Sequence, residues 1–291
     1  MVSAEMTSEQ NHTFDRSGLA ALSDIHSPRC SELMAHLERE QQAFLDHATE
    51  FRSVEYRWPL DSLHTWSRIW EYPYVYHHLE RLRARLPVSG SPRAVDLGSG
   101  VTFFPFSVAR LGYHVTCADI DPVCEKDLGR ATQIIDCKPG RVDFRLVNSP
   151  SLPFLDQEVA IVYCISVIEH IDRFEDTVDE ITRILKPEGI LLLTFDLDLR
   201  GDRQLGVSEY RRLMAKIRDH FVWVHPETAA HPADMLHSSN GPYGFNELQG
   251  GARMRYFLRQ KVIRPLFGRP PGAPMIPYSL AVMGHVLRKS S

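Results

Sequence analysis

The run Val95-Asp96-Leu97-Gly98-Ser99-Gly100-Val101-Thr102 sets an acid, two glycines and a serine within a few residues of each other. Gly98 and Gly100 have no Cβ, so the backbone can bend sharply there and a ligand can approach it closely. Peptide N–H groups at the start of a following helix would face that ligand. A second acid, Asp119, ends the apolar run that starts at Tyr113, and His170 follows another apolar run at Val159–Cys164. Polar groups at the ends of such runs suit a ligand held at the carboxyl tips of parallel strands.

The elements that must position these groups alternate. Arg93–Leu97 predicts a strand, Thr102–Leu111 a helix with Pro105 in its first turn, and Tyr113–Asp119 a strand. Pro122–Asp136 predicts a helix, and Arg141–Val147 and Val159–Cys164 predict strands. Asp172–Leu185 predicts a helix halted by Lys186-Pro187-Glu188-Gly189, and Ile190–Phe195 a strand covered on both faces. Ser208 caps a helix to Phe221, a short strand follows at Phe221–Val224, and Tyr278–Leu287 is a closing strand. Strands alternating with helices predict an α/β, doubly wound, parallel sheet.

Outside this pattern, residues 1–28 are polar and aperiodic and predict a flexible tail. Segment 29–90 predicts a helical cap or lid: one helix from Ser31, its N-cap, to about Glu55, and another from about Leu60 to Leu86, interrupted at Pro73. Residues 91–291 make the ligand-binding domain, with the Pro-, Gly- and His-rich stretch 226–276 as an insertion that covers the site. The 291 residues carry a formal net charge of −4, which gives no general attraction to nucleic acid or to an anionic membrane. No apolar run is long enough to span a bilayer. The polar N-terminus and the unpaired spacing of five cysteines predict a cytoplasmic protein with free thiols and no metal.

Five segments together resemble the class I S-adenosylmethionine-dependent methyltransferases. They are Val95–Gly100, Cys117–Pro122, Asn148-Ser149 with Leu152-Pro153-Phe154, Tyr163–Ile171, and Arg183–Gly189. The resemblance covers about residues 90–225 and the closing strand. It implies a Rossmann-like sheet of about seven strands whose last strand is antiparallel, and S-adenosyl-L-methionine as cofactor. It places Asp119 on the ribose hydroxyls and Ile120 against the adenine. It places Gly98, Ser99 and Gly100 along the amino-acid tail and ribose, with Asp96 ordering that bend. Asn148 and Ser149 would address the adenine edge, and Cys164 and Ile165 the methionine part. Two positions depart from the family pattern: Val101-Thr102-Phe103 lacks a third small residue, and position 148 is Asn rather than Asp.

Methyl transfer from an activated sulfonium needs an aligned acceptor and excluded water more than it needs proton chemistry. His170 is the candidate base, against the plainer reading of a histidine that orders its loop. Tyr72, from the aromatic cluster Trp58, Trp66, Trp70, Tyr72, Tyr74 and Tyr76, is the candidate acceptor contact, against packing of a helix onto the domain. Asp196 and Asp198 end the fifth strand of the pattern and point toward the acceptor. The expected acceptor is a small aromatic or heteroaromatic secondary metabolite, such as an indole-type precursor. Three alternatives stay open: an NAD(P)-dependent oxidoreductase, a methyltransferase acting on protein or RNA, and a non-enzymatic scaffold. Homo-oligomerisation is also left open.

Overall fold

A computed structural model describes residues 13–86, 90–199, 205–244 and 280–290, with isolated positions between 251 and 266. In chain order the elements begin with β1 (Ser17–Leu19), α1 (Leu22–Ile25), α2 (Pro28–Leu45), α3 (Ala48–Phe51) and α4 (Arg68–Arg85). The alternating part follows with β2 (Arg93–Leu97), α5 (Phe104–Arg110), β3 (His114–Asp119), α6 (Pro122–Ile134), β4 (Arg141–Leu146), β5 (Val159–Ile165), α7 (Phe174–Ile184) and β6 (Leu185–Asp198). The chain continues through α8 (Val207–His220), β7 (Phe221–Trp223), β8 (Glu227–Thr228) and β9 (Leu280–Lys289).

Among the described residues, one sheet of nine strands runs β4-β3-β2-β5-β6-β9-β1-β8, with β7 also pairing β9. Strands β4, β3, β2, β5 and β6 are parallel, and β9 is antiparallel to β6. The Rossmann-like α/β expectation holds, and the sheet is larger than the seven strands expected. The central strands are mostly apolar because helices cover both faces. One face packs on α4, α5 and α6, with α2 outside against α4 and α5, and the other face on α7 and α8.

The N-terminal segment corrects the expected tail. Residues 1–12 lie outside the described residues, but residues 13–28 are packed. Gly18 and Leu19 pair antiparallel with Gly284 and Met283, and Phe14 is fully buried. Phe14 stands edge-on to Trp70 and Tyr74, with ring centroids 6.1 and 6.0 Å away. Asp24 accepts the Trp70 indole N–H at 2.8 Å, and the Tyr74 hydroxyl donates to the Arg16 carbonyl at 2.9 Å. These polar residues are anchors, which is why their composition reads as tail.

Helix α4 lies on the sheet across β5, β6 and β9. Trp70 and Tyr74 stack at 4.4 Å and rest on Gly284, where a Cβ would fall 2.6 Å from Trp70. A glycine in this strand is therefore a packing requirement for the aromatic pair. Pro73 sits inside α4 without ending it. It has no N–H for the Ile69 carbonyl one turn back, and the Cys30 thiol faces that carbonyl at 3.8 Å. Three further local expectations shift. The side chain of Ser27, not Ser31, caps α2 by accepting the Cys30 N–H at 3.2 Å. Gly206 precedes α8, and the Ser208 hydroxyl turns to Glu209. From the expected insertion, β8 pairs β1, and Asp234 accepts the Ser23 backbone N–H at 2.9 Å. Most of 245–276 lies outside the described residues.

Candidate functional site

Strand β2 ends in the glycine bend, and both glycines take the left-handed region, Gly98 at φ 72° and Gly100 at φ 54°. A Cβ on Gly98 would lie 2.5 Å from Val167, so this turn also needs glycine for close packing. The Gly98 N–H donates to the Ala118 carbonyl of β3 at 2.7 Å, which ties the bend to the neighbouring strand. Two N–H groups just before the following helix are taken by the protein itself. Gly100 donates to Asp119 Oδ2 at 2.9 Å, and Val101 donates to the Tyr56 hydroxyl at 2.7 Å. Tyr56 comes from the loop before α4 and is a site residue that sequence reasoning missed. Only packing brings it here.

Asp119 ends β3, and its other oxygen accepts the Asp121 N–H at 3.0 Å. A carboxylate has about four acceptor positions, so each oxygen keeps capacity for a ligand hydroxyl. Ile120 beside it is 78% exposed, an apolar surface at the rim that a flat base could cover. Asn148 and Ser149 are exposed just beyond β4, and the Ser149 hydroxyl donates to the Ser151 carbonyl at 2.8 Å. Ser99 is buried within the bend, and Cys164 and Ile165 are buried at the end of β5. The donor set therefore fits a nucleoside: a carboxylate for a diol, an exposed apolar side chain for a ring and a backbone bend with no Cβ. Asp96 is buried at 5% exposure, and its carboxyl is pushed up to about 8 by burial and then by the charge of Asp119.

Tyr72 is buried, with its ring stacked on Phe104 at 4.5 Å and edge-on to Phe103 at 5.6 Å. Its ring is thus part of the helix-to-helix packing, and the Arg68 guanidinium stands 5.7 Å from its centroid. His170 is exposed at the end of a 3-10 turn, Ile168–His170. Partial burial and the Arg68 charge pull its imidazole below the usual range. The two candidate catalytic residues stand on different elements, and Arg68 acts electrostatically on both.

Between them lies an acidic group that sequence reasoning saw only in part. Glu71 of α4 is fully buried. Its Oε1 accepts the hydroxyls of Ser166 at 2.7 Å and Thr194 at 2.6 Å, and its Oε2 pairs with Arg68. Glu169 Oε1 accepts the Asp196 N–H at 3.0 Å. Glu169 Oε2 and Asp196 Oδ1 are buried without a partner. Burial pushes Glu169 up to about 8, and burial with the Glu169 and Glu71 charges pushes Asp196 well above the carboxylate range. Ser166, at the tip of β5, has φ 48°, a strained value for a residue with a side chain. Asp198 lies further along β6 and is fully buried.

Three histidines from the stretch after α8 go to separate places. His225 meets His78 and Asp15, with ligand-type atoms within 4.8 Å of one another. Asp15 already pairs with His77 at 3.1 Å and Arg81 at 2.9 Å, and the His78 Nε2 faces the Phe14 carbonyl at 3.0 Å. His231 caps a 3-10 turn, and His237 lies beside Ser239.

Comparison with known proteins places a family over the alternating part of the chain. Residues 95–193 match a family model described as a methyltransferase domain. A ubiquinone biosynthesis O-methyltransferase of Xylella fastidiosa (strain 9a5c) is 29% identical over 120 residues, 40% of this chain and 46% of that protein. An uncharacterised methyltransferase of Mycobacterium tuberculosis (strain ATCC 25618 / H37Rv) is 30% identical over 120 residues, 40% of this chain and 44% of its own length. The chain thus spans less than half the length of these relatives. Among solved structures, the [4+2]-cyclase SpnF aligns at a TM-score of 0.49 and 17% identity, over 94% of this chain and 99% of that one.

Over residues 95–193 the chain is thus similar to a methyltransferase domain. The methyl donor that such a domain implies is S-adenosylmethionine. Among the described residues no helix is long and apolar enough to cross a membrane.

Proposed function

We propose that this chain transfers a methyl group from S-adenosylmethionine to a small-molecule acceptor, an aromatic or heteroaromatic secondary metabolite such as an indole-type compound. One observation carries the reading. Asp119 stands beside a left-handed glycine bend, at the carboxyl ends of two adjoining parallel strands. S-adenosylmethionine supplies a methyl group already activated on a sulfonium. Asp119 would accept the ribose hydroxyls, Ile120 and the Asn148-Ser149 edge would bound the adenine, and Gly98, Ser99 and Gly100 would border the ribose and tail. Asp96, buried at the end of β2, would order the bend. Cys164 and Ile165 would flank the methionine part through their backbone.

The remaining task of the protein is alignment and exclusion of water, which can be worth effective molarities of about 10⁵ M or more. Tyr72 and His170 are the proposed acceptor-side groups, with Arg68 acting on both. Incubation with methyl-labelled donor and a panel of indoles, phenols and amines tests the reading. Label in a small molecule is the expected result, and label found solely in protein or RNA refutes it. The small-molecule acceptor is the partner proposed, without nucleic acid or membrane.

A further inference from the structure

We propose that the acidic group at the carboxyl ends of β5 and β6 is the binding site for a protonated amine, held by Asp196 Oδ1 and Glu169 Oε2. The inference rests on the methyl-transfer reading and names the acceptor class.

The count of partners carries it. Glu71 spends both oxygens inside the protein, on Ser166, Thr194 and Arg68. Glu169 spends one, on the Asp196 N–H. Asp196 is only 8% exposed, yet its Oδ1 meets no donor, and Glu169 Oε2 meets none either. Burying a carboxyl oxygen without a donor costs free energy that a ligand donor would restore. The charges around these two oxygens point to the kind of donor. Helix α4 presents Arg68, Glu71 and Tyr72, β2 presents Asp96, the 3-10 turn presents Glu169 and His170, and β6 presents Asp196. Four carboxyls thus share one guanidinium, which is itself paired to Glu71. An ammonium brings three donors and a positive charge, whereas a neutral hydroxyl brings one donor and no charge.

Protons balance simply. Without a ligand, burial raises both carboxyls, Glu169 to about 8, so the pair holds a proton at pH 7. An arriving ammonium displaces a proton to solvent and meets a carboxylate. Transfer of one N–H proton from R–NH₃⁺ to that carboxylate gives R–NH₂ and the carboxylic acid. The nitrogen then holds a free lone pair, ready to accept a methyl group.

The test is calorimetry on protein saturated with S-adenosylhomocysteine, using tryptamine against tryptophol and 2-phenylethylamine against 2-phenylethanol. Each pair differs in one ammonium for one hydroxyl. The ammonium member of at least one pair should bind about tenfold or more tightly, the size of one charged hydrogen bond. Its binding should release protons at pH 7, read from the dependence of heat on buffer. Asp196→Asn and Glu169→Gln should each abolish the preference and leave alcohol binding unchanged. The proposal is overturned if the alcohols bind as well, if no proton is released, or if no amine binds up to about 10 mM. The wild-type comparison stands even where a variant fails to fold. S-adenosylhomocysteine binding, measured first, separates failure of this inference from failure of the methyl-transfer reading.

Discussion

Asp96 makes the protein less stable as pH rises, and Asp96→Asn should remove that dependence. The carboxyl is 5% exposed and pushed up to about 8, mainly by burial and then by Asp119. In the unfolded chain an aspartate titrates near pH 4. Between those two values the folded state keeps a proton that the unfolded state has lost. Its stabilising contribution is therefore complete below about pH 4 and is lost as pH rises through about 8. The slope is about 1.4 kcal/mol per pH unit, which sums to the order of 5 kcal/mol across the window. Urea unfolding of cofactor-free wild type and Asp96→Asn at pH 5, 7 and 9 measures it. Glu169 and Asp196 act in the same direction in both proteins and cancel in the difference. The stability difference should swing toward the variant by several kcal/mol between pH 5 and pH 9. A difference that stays constant with pH refutes the account of Asp96 as a buried, protonated acid.

Three further outcomes are expected. Gly284→Ala puts a Cβ 2.6 Å from Trp70 and should lower the free energy of unfolding by about 1–3 kcal/mol, read by urea denaturation. Tyr56→Phe leaves the Val101 N–H without its acceptor and should cost about 1–3 kcal/mol in the same assay, with weaker S-adenosylhomocysteine binding as the bend loosens. Asp119→Ala removes the acceptor for two ribose hydroxyls and should weaken S-adenosylhomocysteine binding by about 100-fold or more in calorimetry.

The alternating half of the fold was legible because buried parallel strands leave apolar runs that glycine and proline punctuate. Arg93–Leu97 was read to the residue, and β3, β4 and β5 to within one residue at each end. The glycine bend and Asp119 were legible for the same reason: the bend needs residues without a Cβ, and the acid falls where a strand must stop. What was not legible depends on distant packing. β1 is three residues long, has no period to detect, and is fixed by β9, which lies more than 260 residues away. Pro73 reads as a break until the Cys30 thiol is seen facing the carbonyl it frees. Arg68, Glu71 and Tyr56 precede the first motif by tens of residues, and only the seating of α4 and its preceding loop brings them to the site. The aromatic cluster was legible as a cluster, but Trp70 and Tyr74 serve the packing of α4 on Gly284.

The central claim is that one nucleoside sits between the bend at Gly98–Gly100 and the carboxylate of Asp119. A crystal structure with S-adenosylhomocysteine tests it most directly. The account predicts both ribose hydroxyls within hydrogen-bond distance of Asp119, with the adenine against Ile120. The compound bound elsewhere on the chain, with Asp119 touching only backbone N–H groups, would contradict it.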